Sequence, residues 1–253
     1  MIHWQLTSQQ YEAAVFAAGR DRLPYPTWHA ARADSDAELG RQRREAIDAL
    51  VPRVDDDFAR LVATLLDPRV RVHVHGRIGA DDPAQTQLRG YAAFGPTAAA
   101  VAIQDPDPAP GVSGDVVVSA CTARQAITLL ARLLPDEPPG QREQLVAPVA
   151  DLDVEPDWVG GWNRPPTLRE RVSTFFARPR AGWGEVLCYP GPFLDNRTDG
   201  VQGFLWMDFA GDGRYYVRQD DAGYTAIPMS GTAFGGHVAR LVQRVRDQAR
   251  TPA

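Results

Sequence analysis

His73 and His75 stand two residues apart in the run Arg69, Arg71, His73, His75, Arg77, which alternates with Val70, Val72 and Val74. Such alternation marks a strand, and residues two apart on a strand share a face, which is how some metal sites collect two ligands. A protein zinc site needs at least a third ligand. Here His3, His29 and His237 are scattered, and no carboxylate motif accompanies the pair. The other reading of the run is a solvated basic strand face above buried valines. Cys121 precedes a run capped by Thr122, and a helix N-terminus lowers a thiol pKa. It also ends an apolar strand, where cysteine is commonly buried and inert. Ser119 and Ser230 lack a GxSxG context and read as helix-entry residues. The pairs Asp81/Asp82 and Asp220/Asp221 fall in turn-like stretches, where aspartate is favoured by turn geometry without general acid or base work. Glycine-rich pieces such as GGWN and FAGDGR do not form GxGxxG between a strand and a helix. No catalytic, cofactor-binding or metal residue is therefore assigned, and no cofactor is expected.

Composition narrows the chemistry further. All 27 basic residues are arginine. Without lysine there is no P-loop, no kinase strand lysine and no Schiff-base amine. A net charge of −5 and the absence of a long basic tract argue against nucleic-acid binding. Two distant cysteines, Cys121 and Cys188, indicate neither a disulfide framework nor a zinc knuckle. No stretch approaches the ~20 apolar residues of a membrane span, and the first residues lack a signal-peptide pattern. The expectation is a folded cytosolic protein with no membrane insertion.

The elements follow from periodicity and punctuation. An extended start at Ile2 to Leu6 leads to a helix through Tyr11 and Val15 that stops at Gly19, and Pro24 and Pro26 impose a loop. Helices are predicted near Asp36 to Val51 and Asp55 to Leu66, then strands at 69–77, 86–94, 97–104 and 115–120. Thr122 with Gln125 forms a capping box ahead of a helix through Leu134. A Pro- and Asp-rich connector at 135–166 precedes a second capping box, Thr167 with Glu170. Strands at 183–189, 201–209, 214–219 and 224–228 and a last helix near 232–249 complete the chain. The two halves, approximately 1–134 and 167–253, share one grammar within a single domain over 1–253. Segments around AVAIQDPDPAP and YYVRQDDAG align as strand, acidic turn, strand, helix. Short turns require antiparallel pairing. The expected class is α+β, a quasi-twofold duplicated unit with a central antiparallel sheet and helices flanking one face.

An open sheet face would be a binding face. Phe204, Trp206 and Asp208 share one side of their strand, and Arg214, Tyr216 and Arg218 alternate on the next. Arg71, His73, His75, Arg89 and Tyr91 are placed at corresponding outward positions of the first half. Arginine, tryptophan and tyrosine dominate interface hot spots. The alternative is that Phe204 and Trp206 lie beneath a helix of the same chain.

The chain resembles the EspG family of type VII (ESX) secretion-associated proteins. The resemblance rests on WQLTSQQYEAA, VPRVDDDFARLVATLLDPRVRVHVHG, FFARPRAGWGEVLCYP and the closing run FLWMDFAGDGRYYVRQDDAGYTAIPMSGTAFGGHVARLVQRV. It implies a cytosolic, non-enzymatic chaperone with a quasi-twofold fold that binds the helical tip of PE–PPE heterodimers or a related helical secreted protein. Such a chaperone keeps its cargo soluble and directs it to the cognate ESX system, with homodimer formation of the free chain left open. It further implies that the loop between the second and third strands and the C-terminal helical region contact cargo. Here these correspond to Asp81, Asp82 and Gln85, and to Arg240 and Arg244. The expected partner-binding set is thus these five with Arg71, His73, His75, Tyr91, Phe204, Trp206, Tyr216 and Arg218. A metal-dependent enzyme using His73 and His75, and a structural subunit of a larger assembly, are the competing readings.

Overall fold

The computed structural model describes residues 1–79, 85–152, 165–193 and 199–249. Among these residues ten strands form one antiparallel sheet: β1 (Ile2–Leu6), β2 (Val70–Ile78), β3 (Thr86–Phe94), β4 (Ala99–Gln104), β5 (Val116–Cys121), β6 (Leu145–Pro148), β7 (Arg180–Pro190), β8 (Gln202–Phe209), β9 (Gly213–Asp220) and β10 (Gly223–Pro228). Their order is β1-β5-β4-β3-β2-β7-β8-β9-β10-β6, which reads alike from either edge about the β2–β7 pair. Among the described residues the α-helices are α1 (Ser8–Ala17), α2 (Asp36–Leu50), α3 (Asp56–Leu66), α4 (Ala123–Leu133), α5 (Leu168–Phe176) and α6 (Gly231–Gln248). The α+β class and the antiparallel sheet are as expected. Strand β6 lies inside the stretch read from sequence as a connector.

Local sequence explains the element ends. Thr7, Thr122 and Thr167 open α1, α4 and α5 as capping boxes with Gln10, Gln125 and Glu170, and Ser35, Asp55 and Ser230 cap the other three helices. Each cap satisfies an amide that has no intrahelical partner. Helix α1 ends before Gly19, whose φ of +81° suits glycine.

The sheet is covered on both faces, which corrects the expectation of helices on one. On the first face, Val70, Val72, Val74, Val186, Phe204 and Trp206 form a single core with Ala126 and Leu130 of α4 and Phe234, Val238 and Leu241 of α6. On the second face, Trp4, Leu6, Tyr91, Ala93 and Ala102 pack with α1 and α3 at one end. At the other end Met207, Phe209, Tyr215 and Val217 pack with Phe175 of α5. Each end of the second face therefore has its own helical cover, and the middle strands β2, β7 and the start of β8 lie between the two covers. Among the described residues no helix is long and apolar enough to cross a membrane.

Candidate functional site

The strand pattern places the odd-numbered residues of β2 and β7 on the second face. There His75 is registered opposite Glu185, His73 opposite Leu187 and Arg77 opposite Trp183. This floor stays partly open: Glu185, Leu187 and Tyr189 are half-buried, and Trp183 is 37% exposed. Leu205 and Gly203 of β8 extend it toward α5, and Gly203 is exposed. On the opposite flank the segment after α1 reaches over the sheet. There Trp28 donates its amide to Gln104 and its indole N–H to Asp107, and Ala30 donates to Ser113. Tyr25 in the same segment brings its hydroxyl 3.1 Å from His75 Nδ1 and donates to Glu185 Oε1 at 3.5 Å.

Electrostatics keep the histidines neutral. Burial, reinforced by the Arg71 guanidinium, pulls His73 down to about 3. Burial with Arg89 and Arg77 nearby also lowers His75. Burial and then the Glu185 carboxylate push Tyr25 up to about 12. The strip therefore offers the His75 imidazole, phenols, an indole and leucine, with Glu185 at its centre. Such a mixture suits a protein surface with aromatic anchors.

The sequence-predicted residues separate into several places. His73 and His75 do share a face, but His73 is 2% exposed and lies among the rings of Tyr25, Tyr91 and Tyr189. Among the described residues no three His, Cys, Asp or Glu side chains gather to hold an ion, so the arrangement does not fit the metal-dependent reading. Arg71 is also buried, and its Nη1 donates to the carbonyls of Pro190, Gly191 and Pro192. Tyr91 is buried and donates to the Leu65 carbonyl at 2.9 Å. The expected exposed basic face is thus largely internal, because the Tyr25 segment and the 190–192 turn cover it.

Phe204 and Trp206 are core residues of the first face, at 5% and 0% exposed, so neither can anchor a partner. Tyr216 stacks on His237 of α6 at 4.4 Å between ring centroids, and Arg218 pairs with Asp220. Tyr216, Arg218 and Arg244 line a common polar cleft of about 490 Å³ beside the end of α6, and Arg240 is exposed on the same helix. This cleft and the His75 strip lie on opposite faces, so the single mixed aromatic–arginine face expected from sequence does not exist. Gln85 accepts from Arg77 at 3.4 Å at the edge of the strip, whereas Asp81 and Asp82 lie outside the described residues. Sequence reasoning missed Tyr25, Trp183, Glu185 and Leu187. The period-two pattern of Trp183, Glu185, Leu187 and Tyr189 was a usable signal for the last three.

Burial raises the Cys121 thiol, the reverse of nucleophile activation, and pushes Cys188 up to about 12. Both cysteines are free thiols.

The family model described as "EspG family" matches residues 7–247. The chain belongs to the EspG family. The fold of this EspG-family chain is also similar to that of the Mycobacterium tuberculosis type VII secretion system chaperone EspG5, solved in complex with a PE25–PPE41 dimer. That likeness has a TM-score of 0.56 at 12% identity, over 96% of each chain. No curated protein matches.

Proposed function

We propose that this EspG-family chain is a cytoplasmic, non-enzymatic chaperone of type VII secretion. It binds a PE–PPE dimer or a related helical secreted protein, keeps it soluble and directs it to its ESX system. The observation that carries this reading is the central strip of the second sheet face, left open between two helical covers in a family member whose fold is that of EspG5 with its PE25–PPE41 cargo. Trp183, Leu187 and Tyr189 supply apolar area there, while His75 and Glu185 supply polar handles. Gln85, held by Arg77, marks one rim of the site. Arg240 and Arg244 lie on the other side of the sheet and serve as a secondary contact.

Co-expression with a PE–PPE pair encoded near this gene tests the reading. A stable complex that survives size exclusion is expected. A chain that captures none of the neighbouring PE–PPE or other helical secreted proteins, and turns over a substrate instead, overturns it.

A further inference from the structure

Two aromatic side chains are exposed among the described residues, Tyr25 at 40% and Trp183 at 37%, and both lie on the strip between the helical covers. Trp183 belongs to the sheet, but Tyr25 does not. It is carried in from the segment between α1 and α2 and set down on His75 and Glu185, which are 50 and 160 positions away in the chain. A phenol has one proton. Given to Glu185 Oε1, it leaves the hydroxyl oxygen to accept from Nδ1–H of the neutral His75 ring. The Tyr25 ring meets those of His73 and His75 at centroid distances of 5.5 and 5.7 Å. Tyr25 thus occupies the middle of the surface proposed as the cargo site.

This cover is light. Both hydrogen bonds of the Tyr25 hydroxyl, at 3.1 and 3.5 Å, are exposed to solvent, and bonds of that kind exchange with water at little net cost. Beneath the ring His73 is 2% exposed, and neither of its nitrogens has a hydrogen-bond partner. The covered state therefore leaves a buried polar group unsatisfied. The backbone around Tyr25 is fixed by contrast. Thr27 is buried and donates to the Pro24 carbonyl through its amide at 3.0 Å and its hydroxyl at 2.5 Å, while Trp28 is tied to Gln104 and Asp107. Motion belongs to the Tyr25 side chain alone, turning about its own torsions on an anchored turn.

We propose that Tyr25 is a built-in stand-in for a tyrosine of the cargo: in the free chain its side chain fills a phenol subsite formed by His73, His75 and Glu185, and it turns out when cargo delivers a phenol of its own. The occupant shows the chemistry of the subsite. Glu185 takes the phenolic proton, His75 donates in return, and the His73 ring lies against the aromatic face. Charge selects a neutral guest as well. An acidic side chain would meet Glu185, and a basic one would meet Arg77 and Arg89, whose charges both reach His75. The identity of the competitor as cargo rests on the chaperone reading, whereas the subsite stands without it. Closed chains do not bind, so the apparent affinity for cargo is lowered by the fraction of chains in which Tyr25 is in place. A partner whose tip lacks the matching phenol does not recover that loss.

The first probe is p-cresol, the bare phenol of a tyrosine side chain. Added to the full-length Tyr25→Ala chain it should bind saturably, with NMR shift changes centred on the His75 and Glu185 amides. Toluene should bind that variant roughly fivefold more weakly or worse, because it lacks the hydroxyl. The parent should bind p-cresol weakly by about the same factor, because its subsite is filled. No saturable binding to the folded variant, or equal binding of toluene, overturns the phenol subsite whatever the cargo does. The second probe is the PE–PPE dimer, which should bind Tyr25→Ala about threefold more tightly than the parent, or better. Equal or weaker binding overturns the stand-in role. A check that needs no variant to fold uses the parent with 3-fluorotyrosine at position 25. Its fluorine resonance should move towards that of free fluorotyrosine when dimer is added, and an unmoved resonance overturns the displacement. A dimer captured by neither chain overturns the chaperone reading, and with it the cargo as competitor, while the p-cresol result still decides the subsite.

Discussion

Trp206 of β8 lies against Gly184 of β7, so close that a Cβ at position 184 would stand 2.7 Å from the indole Nε1. Gly76 and Gly182 flank the same ring, which shares its core with Phe234, Val238 and Leu241 of α6. Trp206 is fully buried, whereas Trp183 on the other face is 37% exposed. The two tryptophans should therefore separate stability from binding. Trp206→Ala removes a core side chain and should cost about 3–5 kcal/mol of unfolding free energy in urea. Trp183→Ala should leave the unfolding curve in place yet weaken cargo binding, by roughly 30-fold if the indole is a hot spot worth about 2 kcal/mol. A destabilised Trp183→Ala chain, or one that binds as well as the parent, would remove Trp183 from the site.

Asp208 and Arg214 form a pair that solvent barely reaches, each side chain 2% exposed. Arg214 Nε and Nη2 donate to the two carboxylate oxygens at 2.7 Å each, and Nη2 also donates to the Pro135 carbonyl. Removing one partner strands the other charge in the interior, which typically costs about 3–5 kcal/mol. Asp208→Ala and Arg214→Ala should each lose that much. The double variant should lose clearly less than their sum, because no lone charge remains. Strict additivity in chemical denaturation would show that the pair is not coupled.

The helix starts were legible because a cap is a local interaction: Thr122 with Gln125, or Thr167 with Glu170, needs only residues three apart. Strand existence was legible from alternation. Which alternating set faced which side of the whole sheet was not. Period two fixes partners within a strand, but Trp206 and His75 are related only through the registers of β8, β7 and β2. Trp206 is opposite Gly184, which is opposite Gly76, one residue out of phase with His75. Assigning both to one face was therefore a phase error of a single residue. Strand β6 escaped because four residues, LVAP, show no useful period and end on proline. The Tyr25 segment escaped because its bonds run to residues some 50 to 160 positions away. Nothing local in LPYPTW announces those partners.

Thiol chemistry gives a clean contrast between the cysteines. Cys188 is fully buried, with its thiol pushed up to about 12, so it should react with a thiol reagent at neutral pH only when the molecule opens. Cys121 is half-buried and its thiol is also raised by burial, so it should react faster than Cys188 but slower than a free thiol. Labelling kinetics in native buffer, with and without mild denaturant, will test this. Rapid labelling of Cys121, above the rate of a model thiol, would mean that the α4 N-terminus activates it after all.

His73 should make the protein acid-sensitive before its carboxylates do. Neither of its ring nitrogens has a hydrogen-bond partner, and burial holds its folded-state pKa near 3, against about 6.5 in an unfolded chain. Between those values the unfolded state binds the proton and the folded state does not. Stability therefore rises with pH across this window and is lost as pH falls from about 6.5 towards 3. The loss is on the order of 3 kcal/mol by pH 4 for this one group. His29, His75 and His237 are lowered too and act with the same sign. The His73→Phe variant isolates the effect, since phenylalanine keeps a ring among Tyr25, Tyr91 and Tyr189 and removes two unsatisfied nitrogens. Unfolding free energies of parent and variant, measured in urea from pH 7.5 to 4, should keep a constant offset near neutral pH and diverge on acidification, with the variant holding more of its stability. Parallel curves over that range would mean that His73 gains its proton without leaving the folded state, and that water reaches the ring between Tyr25 and Tyr189.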